Sequence, residues 1–340
     1  MTNDVPTNNV PTDNVLTVEG LKAYYVSNQA GSRREVRAVD DVSLTVRRNE
    51  VYGIAGESSS GKTTLVKTLA GAIRPPLRVV GGSVMLQFDG HKIDVYQQRA
   101  AMDAARWRHI SYIMQGSMSV LNPVRKIRHS FSDFAARHMG LAPSAFERQV
   151  EAHLGRLRLP PRVLDSFPHQ LSGGMRQRVS IALATVCEPE LIFADEPTTA
   201  LDVMVQLDVL ALIKEVQARL GSSIVFVTHD MSVHAAIADR LAIVYAGRLV
   251  EEAPTADLFA RPQHPYTAHL IASLPRLGET RLRDSLHGRP PSLLDPPPGC
   301  RFHPRCPIAV ARCSRDVPPL APSAIGGRVA CFRAGEVALG

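Results

Sequence analysis

The sequence predicts an α/β fold: a parallel sheet covered by helices, with an antiparallel β subdomain, a helical subdomain and a Cys-containing C-terminal extension. Three observations predict it. The stretch "GIAGESSSGKTTL" (53–65) sits between an apolar, β-branched run and a segment of helical spacing, so it reads as strand, glycine loop and helix. Two continuous apolar runs, "PELIFADEP" and "SSIVFVTHD", flank the helically spaced "MVQLDVLALIKEVQARLG", as expected of central parallel strands joined through a helix. Beyond Pro254 proline becomes frequent, as in "GRPPSLLDPPPGC", and the chain turns loop-rich.

Taken in order, "MTNDVPTNNVPTDN" is polar, with neither a basic nor an apolar signal-peptide region, and is expected to be a disordered tail over 1–13. From Val15 to Ile54 short strands dominate: "VLTVEGLKAYYV", "VSLTV" and "VYGIAG". "GSVMLQFDGHKI" predicts a hairpin with Asp89-Gly90 in the turn. From about Arg99 to Leu159 the apolar period is helical, interrupted by the strand candidate "ISYIMQ". "LAIVYAGRLVEEA" predicts a last hairpin.

Composition excludes several classes. The chain has 340 residues and no apolar run of eighteen or more, so a bilayer span is not expected and a cytoplasmic location is. Net charge is +7, but no run of five like charges occurs and the arginines are dispersed, which reads as a solvated surface and not a nucleic-acid interface. One Trp and few other aromatics offer no platform for stacking bases.

The glycine loop fits G-x-x-x-x-G-K-[ST] with Gly56, Gly61, Lys62 and Thr63. Glycines let backbone N–H groups turn toward phosphates, and the helix N-terminus adds a favourable dipole. Ser58, Ser60 and Thr64 complete the expected cradle for ATP. Lys62 is expected on the β- and γ-phosphates and the Thr63 hydroxyl on Mg²⁺. "ELIFADEP" ends a strand with two carboxylates: Asp195 is the expected Mg²⁺ partner and Glu196 the expected base for an attacking water. His229 ends the next strand, at the edge where parallel sheets bind ligands, placed to bond the γ-phosphate or orient Glu196. Gln115, in "YIMQG", ends another strand and is expected to sense Mg²⁺ and the attacking water. "QLSGGMRQR" is a second glycine-rich stretch running into a helix, without a lysine. One chain has no need of two cradles around one ATP. The economical reading is that Ser172, Gly173 and Gly174 of one subunit close over ATP held by another subunit's loop.

"LSGGMRQR" resembles the signature sequence of the ATP-binding cassette ATPases. The order of motifs is also that family's: Walker A at 56–63, Q-loop at Gln115, signature at 171–175, Walker B at 191–196, "TALD" at 199–202 and the switch histidine at His229. The resemblance covers about Leu16 to Glu252. It implies a P-loop, RecA-like core and two cassettes sandwiching two ATPs head to tail. It also implies that Tyr25 stacks on adenine in preference to Tyr24, and that Asp202 bridges the two sites. "MSVLNPV", "HPYTAHLIASLP" and "CRFHPRCPIAVARC" resemble, more narrowly, the ATP-binding subunits of dipeptide and oligopeptide importers, some relatives of which carry nickel or oligosaccharides. Ser59 departs from that group, which usually has glycine there.

The chain then divides into a tail over 1–13, an ATPase domain over 14–256 with its helical subdomain at about 116–175, and an extension over 257–340. The implied partners are a second cassette, identical or (as is usual in the peptide group) a paralogue, two membrane permeases and an extracytoplasmic binding protein, with no nucleic acid. The implied place is the cytoplasmic face of the membrane. Alternatives of other classes are a cassette ATPase working on DNA or ribosomes, which would carry two cassettes or an inserted coiled coil, and a small-metabolite kinase, which has no use for "LSGGM".

Four of the five cysteines, Cys300, Cys306, Cys313 and Cys331, cluster in the extension, while Cys187 stands alone in an apolar helical stretch. In a cytoplasmic chain such a cluster suggests metal before disulfide. Five, six and seventeen residues separate successive members, wider than the usual zinc pairing. That spacing, the Cys306-Pro307 pair and the family resemblance favour a structural [4Fe–4S] cluster. Zn²⁺, or free or oxidised thiols, are the alternatives. The role expected of the metal is to cross-link a tail with too few apolar residues for a core.

Overall fold

A computed structural model describes residues 13–29, 32–88, 90–114, 116, 121–199, 201–274 and 288–336. Residues 1–12 of the expected tail, Asp89 of the expected turn, and Gln115 lie outside the described residues.

An antiparallel sheet opens the chain. Strands β1 (Asn14–Gln29), β2 (Ser32–Arg47), β4 (Leu77–Phe88) and β5 (His91–Asp94) lie in the order β2-β1-β4-β5. The second sheet takes β3 (Val51–Ala55), β6 (Ile110–Ile113), β7 (Leu191–Asp195), β8 (Ser223–Val227), β9 (Arg240–Tyr245), β10 (Arg248–Pro254) and two short strands, β11 (Ala321–Pro322) and β12 (Arg328–Val329). Its order is β11-β12-β10-β9-β3-β8-β7-β6. Pairings from β6 through β9 are parallel and the rest antiparallel. β3, β7 and β8 are buried at every position, because helices cover one face of the parallel part and the antiparallel sheet with the helix after β3 covers the other. Val227 pairs with both Ile54 and Asp195, so the chain leaves β3, β7 and β8 at one edge of the sheet.

The helices are α1 (Lys62–Leu69), α2 (Arg99–Ala105), α3 (Ile127–Phe134), α4 (Ala136–Met139), α5 (Pro143–Arg156), α6 (Gly173–Thr185), α7 (Val203–Leu220), α8 (Met231–Ile237), α9 (Thr255–Ala260) and α10 (Pro265–Ala272). Ser172 and Asp202 cap α6 and α7, each accepting a bond from the backbone N–H three residues on. α3, α5 and α6 pack Phe131, Leu154, Leu157 and Val179 into one core with the inner face of the parallel strands. α1 and the antiparallel sheet share a second core that includes Leu16, Leu44, Val66 and Phe193.

Residues 288–336 are loop-rich, as expected, but the end of the chain also carries regular elements and buried apolar side chains. β12 pairs with β10 and extends the main sheet, and α9 and α10 are regular helices. Tyr266, Phe302 and Ile325 are buried with Tyr245, Leu241 and Leu258 in a third core. The rings of Tyr245, Tyr266 and Phe302 meet at centroid distances of 4.6–5.4 Å. The extension therefore buries apolar side chains in a core that it shares with β9 and β10.

Candidate functional site

The glycine loop leaves β3 with backbone that only glycine tolerates. Gly56 has φ 147° and Gly61 φ 102°. A Cβ on Gly56 would lie 2.2 Å from the Val244 carbonyl oxygen, and one on Gly61 2.0 Å from that of Ala38. Ser59 takes φ 65° in the same loop, which gives the physical reason for the glycine usual at that point. Gly61 is the N-cap of α1 and supplies no side-chain cap, so the first-turn N–H groups face the cavity.

Lys62 is only 7% exposed and donates to the carbonyls of Gly56 (2.7 Å) and Glu57 (2.8 Å). Burial brings its pKa down to about 8, against the pull of Glu196, Asp195 and Glu57. Thr63 donates to Asp195 Oδ1 at 3.2 Å, and Tyr112 donates to Oδ2 at 3.2 Å. Burial raises the Asp195 pKa despite those two bonds. These hard oxygen donors, Thr63 and Asp195, suit Mg²⁺.

Glu196 begins the turn after β7 with φ 48°, its N–H donating to the Val227 carbonyl at 2.8 Å. That turn aims its carboxylate into the cavity. Thr199 donates to Oε2 at 2.8 Å, and His229 Nδ1 lies 3.1 Å from Oε1. Burial pushes the Glu196 pKa up, but the bonds from Thr199 and His229 and the charge on Lys62 outweigh it, and the net shift is down. The carboxylate is thus ionised and held by two side chains.

The cavity measures about 330 Å³ and is lined by Tyr25, Val36, Ala38, Ser58, Ser59, Gly61, Lys62, Thr63, Thr64, Glu196 and Leu293. Tyr25 is fixed by a 3.1 Å bond between its hydroxyl and that of Thr64. Tyr24 instead donates to Asp40 Oδ1 at 2.5 Å, outside this lining. Ser60 is buried behind the loop with its hydroxyl unpaired, and is not part of the lining.

Ser172, Gly173, Gly174 and Asp202 do not line the cavity. Ser172 accepts from the Met175 N–H at 3.3 Å and is exposed, as is Asp202. A hydrogen bond joins this second region to the first: buried Gln177 of α6 donates to the carbonyl of Pro197, next to Glu196.

Sequence reasoning missed Tyr112, Gln177 and Leu293. Tyr112 had a signal, since it lies in a strand candidate that pairs beside β7. Gln177 and Leu293 had none, because their contacts depend on how distant segments pack.

The four clustered cysteines require a correction. Cys300, Cys306, Cys313 and Cys331 do line one cavity, but it measures only about 10 Å³. Among the described residues no group of three or more His, Cys, Asp or Glu side chains is arranged to hold a metal ion. All four thiols are free. The expected [4Fe–4S] cluster and its zinc alternative are unsupported by this arrangement.

Comparison with known proteins is consistent with the geometry of the cavity. The family described as ABC transporter matches residues 39–199, and the one described as oligopeptide/dipeptide transporter, C-terminal region, matches residues 250–313. The chain is 38% identical over 306 residues to the dipeptide transport ATP-binding protein DppD of Caldanaerobacter subterraneus, covering 89% of this chain and 92% of that protein. It is 39% identical over 303 residues to the oligopeptide transport ATP-binding protein OppD of Salmonella typhimurium, covering 88% and 89%. Among solved structures, cbiO1 of Clostridium perfringens, part of an ABC transporter complex, aligns with a TM-score of 0.59 at 26% identity over 73% of this chain and 91% of that one. A dimeric ATP-binding cassette bound to ADP and Pi aligns with the same TM-score at 24% identity over 71% and 98%, a likeness of fold.

Proposed function

This chain belongs to the ABC transporter ATPases, in the oligopeptide/dipeptide group, and we propose that it drives a peptide importer from the cytoplasmic face of the membrane. It is an ATPase that works as a dimer of cassettes on membrane permeases. Among the described residues no helix is long and apolar enough to cross a membrane. The observation that carries the reading is the convergence of Lys62, Thr63 and Glu196 on one cavity, with buried Asp195 held directly behind Thr63 at the end of β7.

In this reading the β- and γ-phosphates of ATP replace the Gly56 and Glu57 carbonyls as partners of Lys62, and the first-turn N–H groups of α1 take the remaining oxygens. Thr63 and Asp195 hold Mg²⁺, which when bound neutralises charge on the phosphates. Gln115, by its place in the sequence after the "YIM" run, is the further residue expected at that ion. Glu196 takes the proton of the attacking water, and His229 orients it through the 3.1 Å contact. Tyr25 packs on the base. Ser172, Gly173 and Gly174 close over the partner's ATP, and Asp202 links the two sites. No covalent intermediate is needed: positioning and charge stabilisation supply the rate. The second cassette is a paralogue or a second copy, and an extracytoplasmic binding protein delivers the cargo.

The test is reconstitution of the chain with its permeases and partner cassette in proteoliposomes. Labelled di- and oligopeptides should be taken up only with ATP, and hydrolysis should rise with peptide-loaded binding protein. Stimulation by nickel or an oligosaccharide, with none by peptide, would overturn the cargo assignment.

A further inference from the structure

The segment "CRFHPRC" (300–306) was singled out for its cysteines, but its two arginines make the more consequential contacts. Arg305 reaches the glycine loop. Its guanidinium makes a two-pronged bond to Glu57, Nη1 to Oε2 at 2.8 Å and Nη2 to Oε1 at 3.0 Å. Nη1 also donates to the Tyr245 hydroxyl at 3.2 Å, and the group lies 5.9 Å from the centre of that ring. The Arg305 side chain is only 6% exposed, while Glu57 is 26% exposed, so the pair is shielded on the arginine side. The backbone of Glu57 is held from the same side: its N–H donates to the hydroxyl of buried Tyr266, on α10, at 2.7 Å. Glu57 is the residue after Gly56, and its carbonyl is one of the two that hold Lys62.

Two further contacts tie the extension to the core of the ATPase domain, and one of them reaches the nucleotide cavity. Arg301 pairs with buried Asp40 and donates to the carbonyl of Ala246. The Leu293 carbonyl accepts from the Arg37 N–H at 2.8 Å, which places Leu293 in the cavity lining beside Val36 and Ala38. The extension thus touches the loop end and the Val36–Ala38 end of one cavity. A metal plays no part in these contacts.

We propose that Arg305 and Tyr266 of the C-terminal extension are positioning residues for ATP, holding Glu57 by side chain and backbone so that the glycine loop keeps its phosphate-binding shape. The proposal rests on the assignment of the cavity to ATP. A loop that relies on two glycines at positive φ, with their extra backbone freedom, and on φ 65° at Ser59 gains rigidity from an external clamp. Rigidity matters there because small misplacement of a phosphate-binding group is costly.

The experiment is a double-mutant cycle on the full chain, read by titration with a fluorescent methylanthraniloyl-ATP in Mg²⁺ and by steady-state hydrolysis. Arg305→Ala and Glu57→Gln should each raise Kd and KM for ATP by about tenfold, with kcat at saturating ATP changed less than about twofold. The double variant should be no weaker than either single one, because both remove the same contact. Arg305→Lys, which keeps the charge but not the fork, should restore part of the affinity. Tyr266→Phe, which removes only the acceptor for the Glu57 N–H, should weaken binding by about threefold. If Arg305→Ala does not fold, Glu57→Gln reads the contact from the loop side. Independent losses that multiply in the double variant, or ATP affinity within twofold of wild type in both singles, would overturn the clamp. Lys62→Ala separates the two ideas: ATP bound at wild-type affinity there would mean that the cavity, and not the clamp, is misassigned.

Discussion

The two glycine-rich turns, 56–63 and 171–175, stand in opposite physical states. In the first, carbonyl oxygens occupy the space of absent Cβ atoms, Lys62 is buried, and the next strand-end carboxylates converge on it. In the second, Ser172 is exposed and spends its hydroxyl on capping its own helix, and the stretch itself carries no lysine. The surface beside it carries exposed Asp202 and three apolar side chains, Val203, Met204 and Leu207, at 70%, 73% and 54% exposure. The difference teaches that the chain folds one complete half-site and one face that awaits another cassette. The Gln177 bond to the Pro197 carbonyl ties the helix of the second turn to the segment that carries Glu196.

The largest expected effect lies in the complete half. Glu196→Gln keeps the shape and the Thr199 bond but cannot take a proton, so turnover in the assembled complex should fall by about 10²–10⁴-fold with ATP binding retained. Hydrolysis within a factor of two of wild type would remove Glu196 from the role of base. The next lies in the open half. Ser172→Arg should leave nucleotide labelling of this chain's own cavity intact and cut hydrolysis at the partner's loop by about 10-fold or more, by adding bulk and charge where closure must occur. Photolabelling of each chain separates these: loss at this chain's own cavity alone would contradict the head-to-tail arrangement. Tyr25→Ala should weaken ATP by about 5- to 100-fold, the range of one base–aromatic contact, and GTP by a similar factor. Equal affinity in Tyr25→Ala and wild type would take the base off that ring.

Much of the complete half was legible because its chemistry is local. A strand, a glycine loop and a helix are contiguous, and Asp195 and Glu196 close an apolar run that reads only as a buried strand. The antiparallel sheet and the last hairpin were equally plain from alternation and turns. What was not legible depends on packing between distant segments. The proline-rich end reads as poor in apolar residues, yet Tyr266, Phe302 and Ile325 find partners in β9 and β10, and a four-residue ladder of β11 and β12 extends the sheet. That misreading led to the metal: a tail judged too poor for a core seemed to need a cross-link. Cysteine spacing alone cannot report whether thiols converge on an ion or merely border a gap of about 10 Å³. Arg305 looked like one of many dispersed arginines until Glu57 came into reach.

The smallest expected effect tests whether acid loosens the two halves alike. Three buried histidines are held neutral by burial: His153 and His234 with pKa values brought down to about 4, and His264 to about 3. His153 lies behind the open half, its Nε2 2.9 Å from the hydroxyl of Thr185 at the end of α6. The other two lie behind the complete half. His234 bonds the Thr228 carbonyl at 3.2 Å, and His264 caps α10, which carries Tyr266. In the unfolded chain each takes a proton near pH 6.5, whereas in the folded chain each resists until about pH 4 or below. The unfolded state therefore binds more protons in that window, and stability rises with pH through it. Their contribution is full above about pH 6.5 and is lost as pH falls toward 4, at up to about 1.4 kcal/mol per pH unit for each histidine. Glu50, Glu251 and Asp195, whose pKa values burial raises, oppose this trend, so the informative quantity is a difference between variants. Urea midpoints of wild type and His153→Gln, measured between pH 7.5 and 4.5, should converge as pH falls, because the amide keeps a partner for Thr185 and takes no proton. Parallel curves would show that His153 titrates alike in both states and that acid does not act on the open half through this residue.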